Sequence, residues 1–261
     1  MLLAIDVGNT QTTFGLFDVD RLTDQFRVGT DPAHTADELA VMLRAFVELE
    51  ALDGIVLSAT VPALVREYES FAERWAGAEL LVLGPGVQTG VPIRYDDPRE
   101  VGPDRIANAV AARERHGAPA IVVDFGTSTN FDVVSAEGEY VGGVLAPGIE
   151  ISMDALFARA ARLTKVPFVA PERVIGKTTT SALQSGLVYG FAGQVDAIVG
   201  RIREELEAPE APAIATGGLA ELIAPHSKTI TKVDPELTLQ GLRLVWERNR
   251  QSTSPMPTPP P

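Results

Sequence analysis

Apolar residues fill positions 2–5 of LLAIDV, and the run closes on a carboxylate at Asp6. A nearly continuous apolar run of this length reads as a strand covered on both faces of a sheet. Gly8-Asn9 is a hairpin signal, with a returning strand expected over 12–18. Leu39, Met42, Leu43, Phe46 and Val47 then recur at helical spacing within 34–50, with Thr35 or Asp37 as the N-cap. GIVLSATV (54–61) predicts a buried strand, 62–77 a helix with Pro62 in its first turn and Gly77 at its end, and 79–84 another strand. Residues 85–104, rich in Gly, Pro and Asp, read as a long functional loop.

After a helix over 104–117 the pattern begins again. Strands are expected at 120–124, 130–135 and 139–145, with a turn at Glu137-Gly138. Helices follow at 150–163, 179–190 and 190–206, then a strand at 213–216 and a closing helix from Leu237 to about Asn249. The phrase DVGNT at 6–10 is matched by DFGTS at 124–128. Each half therefore carries an apolar strand, an Asp-x-Gly turn and a second strand, which is the repeat of a domain and not of a short solenoid unit. The expected organisation is an N-terminal domain over 1–116, a C-terminal domain over 117–249 and a Pro-rich tail over 250–261 that cannot build a core. Two α/β halves would meet at a cleft, where ligands tend to bind.

Charge narrows the choice of partner. The formal net charge is −13 and the sequence pI about 4.7. That sign argues against nucleic acid and against anionic membrane surfaces. A phosphorylated ligand would need local cations or backbone N–H groups. The chain has no cysteine, which excludes disulfides, thiolate metal sites and cysteine nucleophiles. There is no basic leader before the first apolar run and no apolar stretch of the ~18 residues a membrane span needs, so a soluble cytoplasmic protein is expected.

The chemistry concentrates at the two turns. Gly8, Asn9 and Thr10 could cradle phosphate through backbone N–H groups, and Gly126, Thr127, Ser128 and Thr129 could do the same. A carboxylate beside each turn would repel phosphate unless a cation stood between them, which gives Asp6 and Asp124 a cation-handling role. Either turn alone is equally well an ordinary Asp-Gly hairpin; the matched pair carries the argument. VIGKTTT at 174–180 invites a P-loop reading, but the first glycine of that motif would fall on Pro171. His34, His116 and His226 lack metal-ligand spacing and are expected at the surface.

The paired turns, with IATGGLAELI at 214–223 as a third element, resemble the phosphate and adenosine motifs of the actin–hexokinase–Hsp70 superfamily. The finer resemblance is to the type III pantothenate kinase family. It rests on DVGNT (6–10), EVGPDRIAN (100–108), DFGTSTNFD (124–132), GGVLAPGI (142–149), GKTTTSALQSG (176–186), ATGGLA (215–220) and LTLQGLRLVWERN (237–249), in family order. The resemblance implies two actin-like (ribonuclease H-like) α/β domains facing across an ATP cleft. It also implies phosphorylation of pantothenate by ATP, a homodimer, Mg²⁺, and a monovalent cation such as K⁺ or NH₄⁺.

Residue by residue, the resemblance assigns Asp6, Val7, Gly8, Asn9, Thr10, Gln11, Thr12, Thr13 and Thr127 to ATP. Tyr95, Gly102, Pro103, Asp104, Arg105 and Thr179 are assigned to pantothenate. Asp124 would bind the monovalent cation, and Asp6 would hold Mg²⁺ directly or through water. Asp104 would accept the proton of the attacking hydroxyl; the alternative is a helix N-cap, worth about 1 kcal/mol. Arg105 would pair with the substrate carboxylate, or with Glu100 or Asp97 on the surface. Thr179 has an N-cap as its alternative. Asn130 and Thr178 stand where the family commonly has Thr and Asn. The resemblance leaves two rivals, a kinase of the same superfamily acting on another small hydroxyl and a non-catalytic regulatory relative.

Overall fold

The computed structural model describes residues 1–159 and 165–253. Contacts divide the chain into two units. Unit 1 comprises Met1–Val91, Asp97–Ala111 and the chain from Thr238 onward, while unit 2 comprises Pro92–Asp96 and Ala112–Leu237. The units therefore interleave, where a cut after residue 116 was expected.

In unit 1 the order is β1 (Leu2–Val7), β2 (Gln11–Asp18), β3 (Arg21–Gly29), α1 (Ala36–Leu43), β4 (Gly54–Ala59), α2 (Pro62–Phe71), β5 (Glu79–Val82) and then α3 (Pro103–His116), whose last turn, from Ala112, counts with unit 2. The sheet runs β3-β2-β1-β4-β5, antiparallel across the first three strands and parallel from β1 to β5. Leu3, Ile5 and Val7 meet Leu39, Leu43, Leu64 and Phe71 in one buried cluster. Thr35 closes a capping box with Glu38 at the start of α1, satisfying N–H groups that the first helical turn would otherwise leave without partners.

Unit 2 repeats the arrangement with β6 (Ala120–Phe125), β7 (Ser128–Val134), β8 (Tyr140–Pro147), α4 (Ile149–Arg159), α5 (Thr179–Glu205), β9 (Ala213–Thr216), α6 (Ala220–Ile223) and β10 (Ile230–Val233). Its sheet is ordered β8-β7-β6-β9-β10, the counterpart of the first strand for strand. Helix α7 (Leu237–Thr253) then returns to unit 1. There Gly15 and Gly54 lie under Leu239 and Trp246, so that a Cβ on Gly54 would stand 2.1 Å from the indole. Gly241 lets α7 pass against α3, where a Cβ would meet the Ala107 carbonyl oxygen at 2.0 Å.

The duplicated strands and most of the helices follow the hydrophobic pattern, with five corrections. Strand β3 has no counterpart in the expected elements: it lies at the sheet edge, with Leu22, Phe26 and Val28 half-buried and the other residues exposed. The four-residue strand β10, at the edge of the second sheet, likewise lacks a counterpart in the expected elements. Helix α1 stops at Leu43, leaving Phe46 to stack on Phe26 instead of continuing the helical seam. Helix α2 ends at Phe71 and closes with a wider turn over Ala72–Ala76, capped by Gly77 in the left-handed conformation. The two expected helices at 179–206 are one. Gly186, Gly190, Gly193 and Gly200 have open space, and burial of Val188, Ala192, Val195, Val199 and Ile202 offsets their intrinsic helix cost of about 1 kcal/mol each. The last part of the helix expected at 150–163, from residue 160, lies outside the described residues, as does the tail from 254; residues 250–253 belong to α7.

Candidate active site

The first Asp-x-Gly turn follows β1. Asp6 pairs across the sheet with Thr13 on β2 and with Ser58 on β4. The buried Ser58 hydroxyl donates to Asp6 Oδ1 at 2.9 Å, which orients a carboxylate that is itself only half-buried. The Gly8 N–H bonds to the Gln11 carbonyl at 3.0 Å, so the tight turn centres on Asn9-Thr10, one residue later than the sequence suggests. A Cβ on Gly8 would stand 2.9 Å from that carbonyl oxygen. Asn9, Thr10 and Gln11 are exposed, whereas the Val7 side chain is in the core. Thr12 is buried as well, its hydroxyl 2.9 Å from that of Thr30.

Thr30, just after the edge strand β3, also donates to the Gly8 carbonyl at 2.8 Å, and its N–H bonds to the Thr10 carbonyl at 3.0 Å. Thr60 braces the other side through two bonds of 2.9 Å to the Val7 carbonyl. Thr30, Ser58 and Thr60 thus fix the turn, yet none belongs to a recognisable motif. The signal that could have found them is polar residues at the ends of strands that neighbour the loop.

The second turn repeats the design in unit 2. Asp124 pairs with Asn130 on β7 and Thr216 on β9, as Asp6 does with Thr13 and Ser58. Gly126 donates to the Ser128 carbonyl at 3.0 Å, with Thr127 exposed at the tip. Gly217 has φ +89°, and a Cβ there would lie 2.5 Å from Asp124 Oδ1 and 2.7 Å from the Phe125 backbone. The first of the paired glycines after β9 therefore lies against the acid of the second turn. Gly148 approaches the Thr127 carbonyl as closely.

Among the acceptor-side residues, Gly102, Pro103, Asp104 and Arg105 open α3 in unit 1. The Ile106 N–H bonds to the Gly102 carbonyl, which places Asp104 inside the first turn and not at the cap. Burial pushes the Asp104 carboxyl above its ordinary range. The Arg105 N–H, the Arg105 charge and the residue's own N–H pull the other way. A Cβ on Gly102 would fall 2.5 Å from Asp104 Oδ1, so this glycine leaves room for the carboxylate. Asp97 is taken by Arg99, through bonds of 2.9 Å from both Nε and the guanidinium end. Tyr95 lies in unit 2, in the Pro92–Asp96 segment.

Thr178, not Thr179, caps α5, in a reciprocal pairing with Ser181; Thr179 is the exposed first helical residue. The described residues leading into GKTTT, from 165 on, form no strand, and Lys177 is exposed, so the strand a P-loop follows is not found among them. The expectation for His116 is corrected: its side chain is buried, with Nε2 2.9 Å from Asp234, which also accepts from Arg115 Nε at 3.1 Å. His34 and His226 are half-buried, the latter edge-on to Tyr189. The Asp234 carboxylate at the end of α3 supplies the polar partner that lets the His116 side chain be buried. A cavity of about 370 Å³ in unit 1, lined by Leu2, Phe17, Gly54 and Trp246, contains none of the predicted site residues.

Two α/β units with the same strand order, each with an acid near the end of its first strand and a tight turn after it, define the actin-like ATPase and sugar-kinase fold class. A Baf-family protein from Campylobacter jejuni shares this fold at TM-score 0.61, with 19% identity over 95% of this chain and 99% of its own. So does component A of (R)-2-hydroxyglutaryl-CoA dehydratase from Acidaminococcus fermentans, at TM-score 0.56, with 14% identity over 97% and 99%.

Sequence similarity is more specific. The family model described as type III pantothenate kinase matches residues 2–201. A type III pantothenate kinase from Acidothermus cellulolyticus is 56% identical over 255 residues, covering 95% of this chain and 99% of the relative. One from Frankia alni is 56% identical over 250 residues, covering 95% and 100%. The chain belongs to the type III pantothenate kinase family.

Proposed function

We propose that this protein transfers the γ-phosphoryl group of ATP to the primary hydroxyl of pantothenate, giving 4'-phosphopantothenate and ADP, the first step of coenzyme A synthesis. The hydroxyl oxygen forms a bond to the γ-phosphorus as the bond to the β–γ bridging oxygen breaks, and Asp104 takes the hydroxyl proton. The observation that carries this reading is the place of Asp104, half-buried in the first turn of α3 with Arg105 beside it, a guanidinium suited to the acceptor's carboxylate. Asn9, Thr10 and Gln11 on one turn and Thr127 on the other are the exposed residues suited to phosphate contact. Val7 and Thr12 act from beneath by shaping the first turn.

The donor chemistry fits both cations of this reading. Among the described residues no three His, Asp or Glu side chains gather to hold a metal. Mg²⁺ on a nucleotide takes most of its ligands from phosphate and water, so one carboxylate, Asp6, is an adequate protein contribution. Asp124, with the backbone carbonyls of its turn, offers the hard oxygens that suit K⁺ or NH₄⁺. When bound, the cations supply charge neutralisation at the phosphates.

A homodimer belongs to the same reading. Leu145, Ile151, Leu156, Val174 and Ile175 are exposed apolar side chains of unit 2 and support an interface there. So does a cytoplasmic setting; no helix among the described residues is long and apolar enough to cross a membrane. Labelled ATP offered with a panel of hydroxyl acceptors tests the substrate. Label in phosphopantothenate supports the reading, and label only in a sugar overturns it.

A further inference from the structure

Pro92–Asp96 is a short stretch of unit 2, although the chain on both sides of it counts with unit 1. Its attachment is specific. The Tyr140 N–H donates to the Pro92 carbonyl at 2.9 Å, and the Arg94 N–H donates to the Tyr140 carbonyl at 2.8 Å. These bonds pair Ile93 in parallel with Tyr140, at the first residue of β8. Arg94 adds two bonds to Glu139 Oε1, at 3.0 and 2.7 Å. The segment is in effect a one-residue extension of the second sheet.

The side chains continue the construction. β8 opens with a bulge: Val133 faces Gly142 and Val134 faces Tyr140, so Val141 is the extra residue. A bulge re-aims the side chains on either side of it. Here it turns Tyr140 inward, where it is fully buried, and leaves Gly142 at φ +122°. The Tyr95 ring rests over Gly142, 3.7 Å from where a Cβ would be, and its centroid is 6.3 Å from that of Tyr140. The Tyr140 hydroxyl is fixed in turn by a 3.2 Å bond to Asp132 Oδ1, and Asp132 is also fully buried. A buried tyrosine–carboxylate pair adds directional constraint where an aromatic–aliphatic contact would leave the ring orientation loose.

We infer that Tyr140, held by Asp132 and flanked by the bulge at Gly142, is a positioning residue that sets Tyr95 for recognition of a small hydroxy-acid acceptor. This rests on the reading of Tyr95 as an acceptor contact. Acceptor selection is then built into the second sheet through a five-residue segment.

Steady-state kinetics of the full chain test this with Tyr140→Phe, Asp132→Asn, Tyr95→Ala and the double variant Tyr95→Ala/Tyr140→Phe. Tyr140→Phe keeps the ring and the backbone pairing, and it should raise KM for pantothenate about fivefold, the scale of one lost hydrogen bond. Its KM for ATP should stay within about twofold, which also shows that the fold is intact. Asp132→Asn retains an acceptor oxygen and should stay close to the parent. In the Tyr95→Ala background the Tyr140 change should have no further effect on pantothenate KM, because the residue it positions is gone.

A raised pantothenate KM in Tyr95→Ala with an unchanged one in Tyr140→Phe would overturn the positioning role while leaving the Tyr95 reading standing. Equal increases in both KM values, or full additivity in the double variant, would also overturn it. An unchanged KM in Tyr95→Ala would remove the Tyr95 reading and the inference with it.

Discussion

Gly217 and Asp124 come from separate motifs, and the structure presses one against the other: a Cβ on Gly217 would sit 2.5 Å from Asp124 Oδ1. The same Cβ would collide with the Phe125 backbone at 2.7 Å, and the residue's φ of +89° disfavours any side chain. Gly217→Ala is therefore expected to strain the second turn and cost about 1–3 kcal/mol of stability. Denaturant unfolding of parent and variant measures this. A midpoint unchanged from the parent would show that the approach is looser than described.

Asp104 couples activity to stability. Because burial raises its folded-state pKa, the folded chain holds the proton more tightly than the unfolded chain does. Stability contributed by this group is thus present at low pH and falls as pH rises from the ordinary aspartate range through the raised value. The base form is needed for turnover, so the rate should rise with pH across the same interval. Asp104→Asn is expected to lower turnover by about 10²-fold or more and to leave the fold as stable as the parent, or more so, at neutral pH. Near-parental turnover would take the base role from Asp104.

Asp124 is read as the monovalent-cation ligand. Exchanging K⁺ for Na⁺ at constant ionic strength should reduce the rate, and Asp124→Asn should flatten the difference between the two salts. Identical rates for the parent in both salts would detach Asp124 from that role.

Lys177 provides a negative control on the rival phosphate motif. It is exposed, the described residues leading into it from 165 form no strand, and the hydroxyl beside it caps α5. Lys177→Ala should leave ATP affinity within about twofold of the parent by calorimetry, whereas a true P-loop lysine would be indispensable. Loss of nucleotide binding would revive the P-loop.

How much of this was legible beforehand follows from the physics of each segment. β1 and β6 announce themselves because strands buried on both faces are nearly all apolar, and the repeated Asp-x-Gly after them exposes the duplication. β3 and β10 did not, since an edge strand buries too little to impose a pattern. Asp6 lies near the end of β1, Gly8 in the turn after it and Asp104 in the first turn of α3, next to segments that the motif pattern marks. Their supports Ser58, Thr30 and Thr60 are ordinary polar residues whose importance comes from neighbouring strands, which no local window contains. His116 shows the same limit. Its partner Asp234 is remote in sequence, and only the packed α3 terminus brings them within 2.9 Å.

The most direct measurement is ADP release on adding pantothenate to the purified chain with ATP, Mg²⁺ and K⁺. The account predicts ADP formed in equal amount to pantothenate consumed, with phosphopantothenate as the other product and little ADP when pantothenate is left out. ADP release that is indifferent to pantothenate, from a chain that binds ATP, would contradict it.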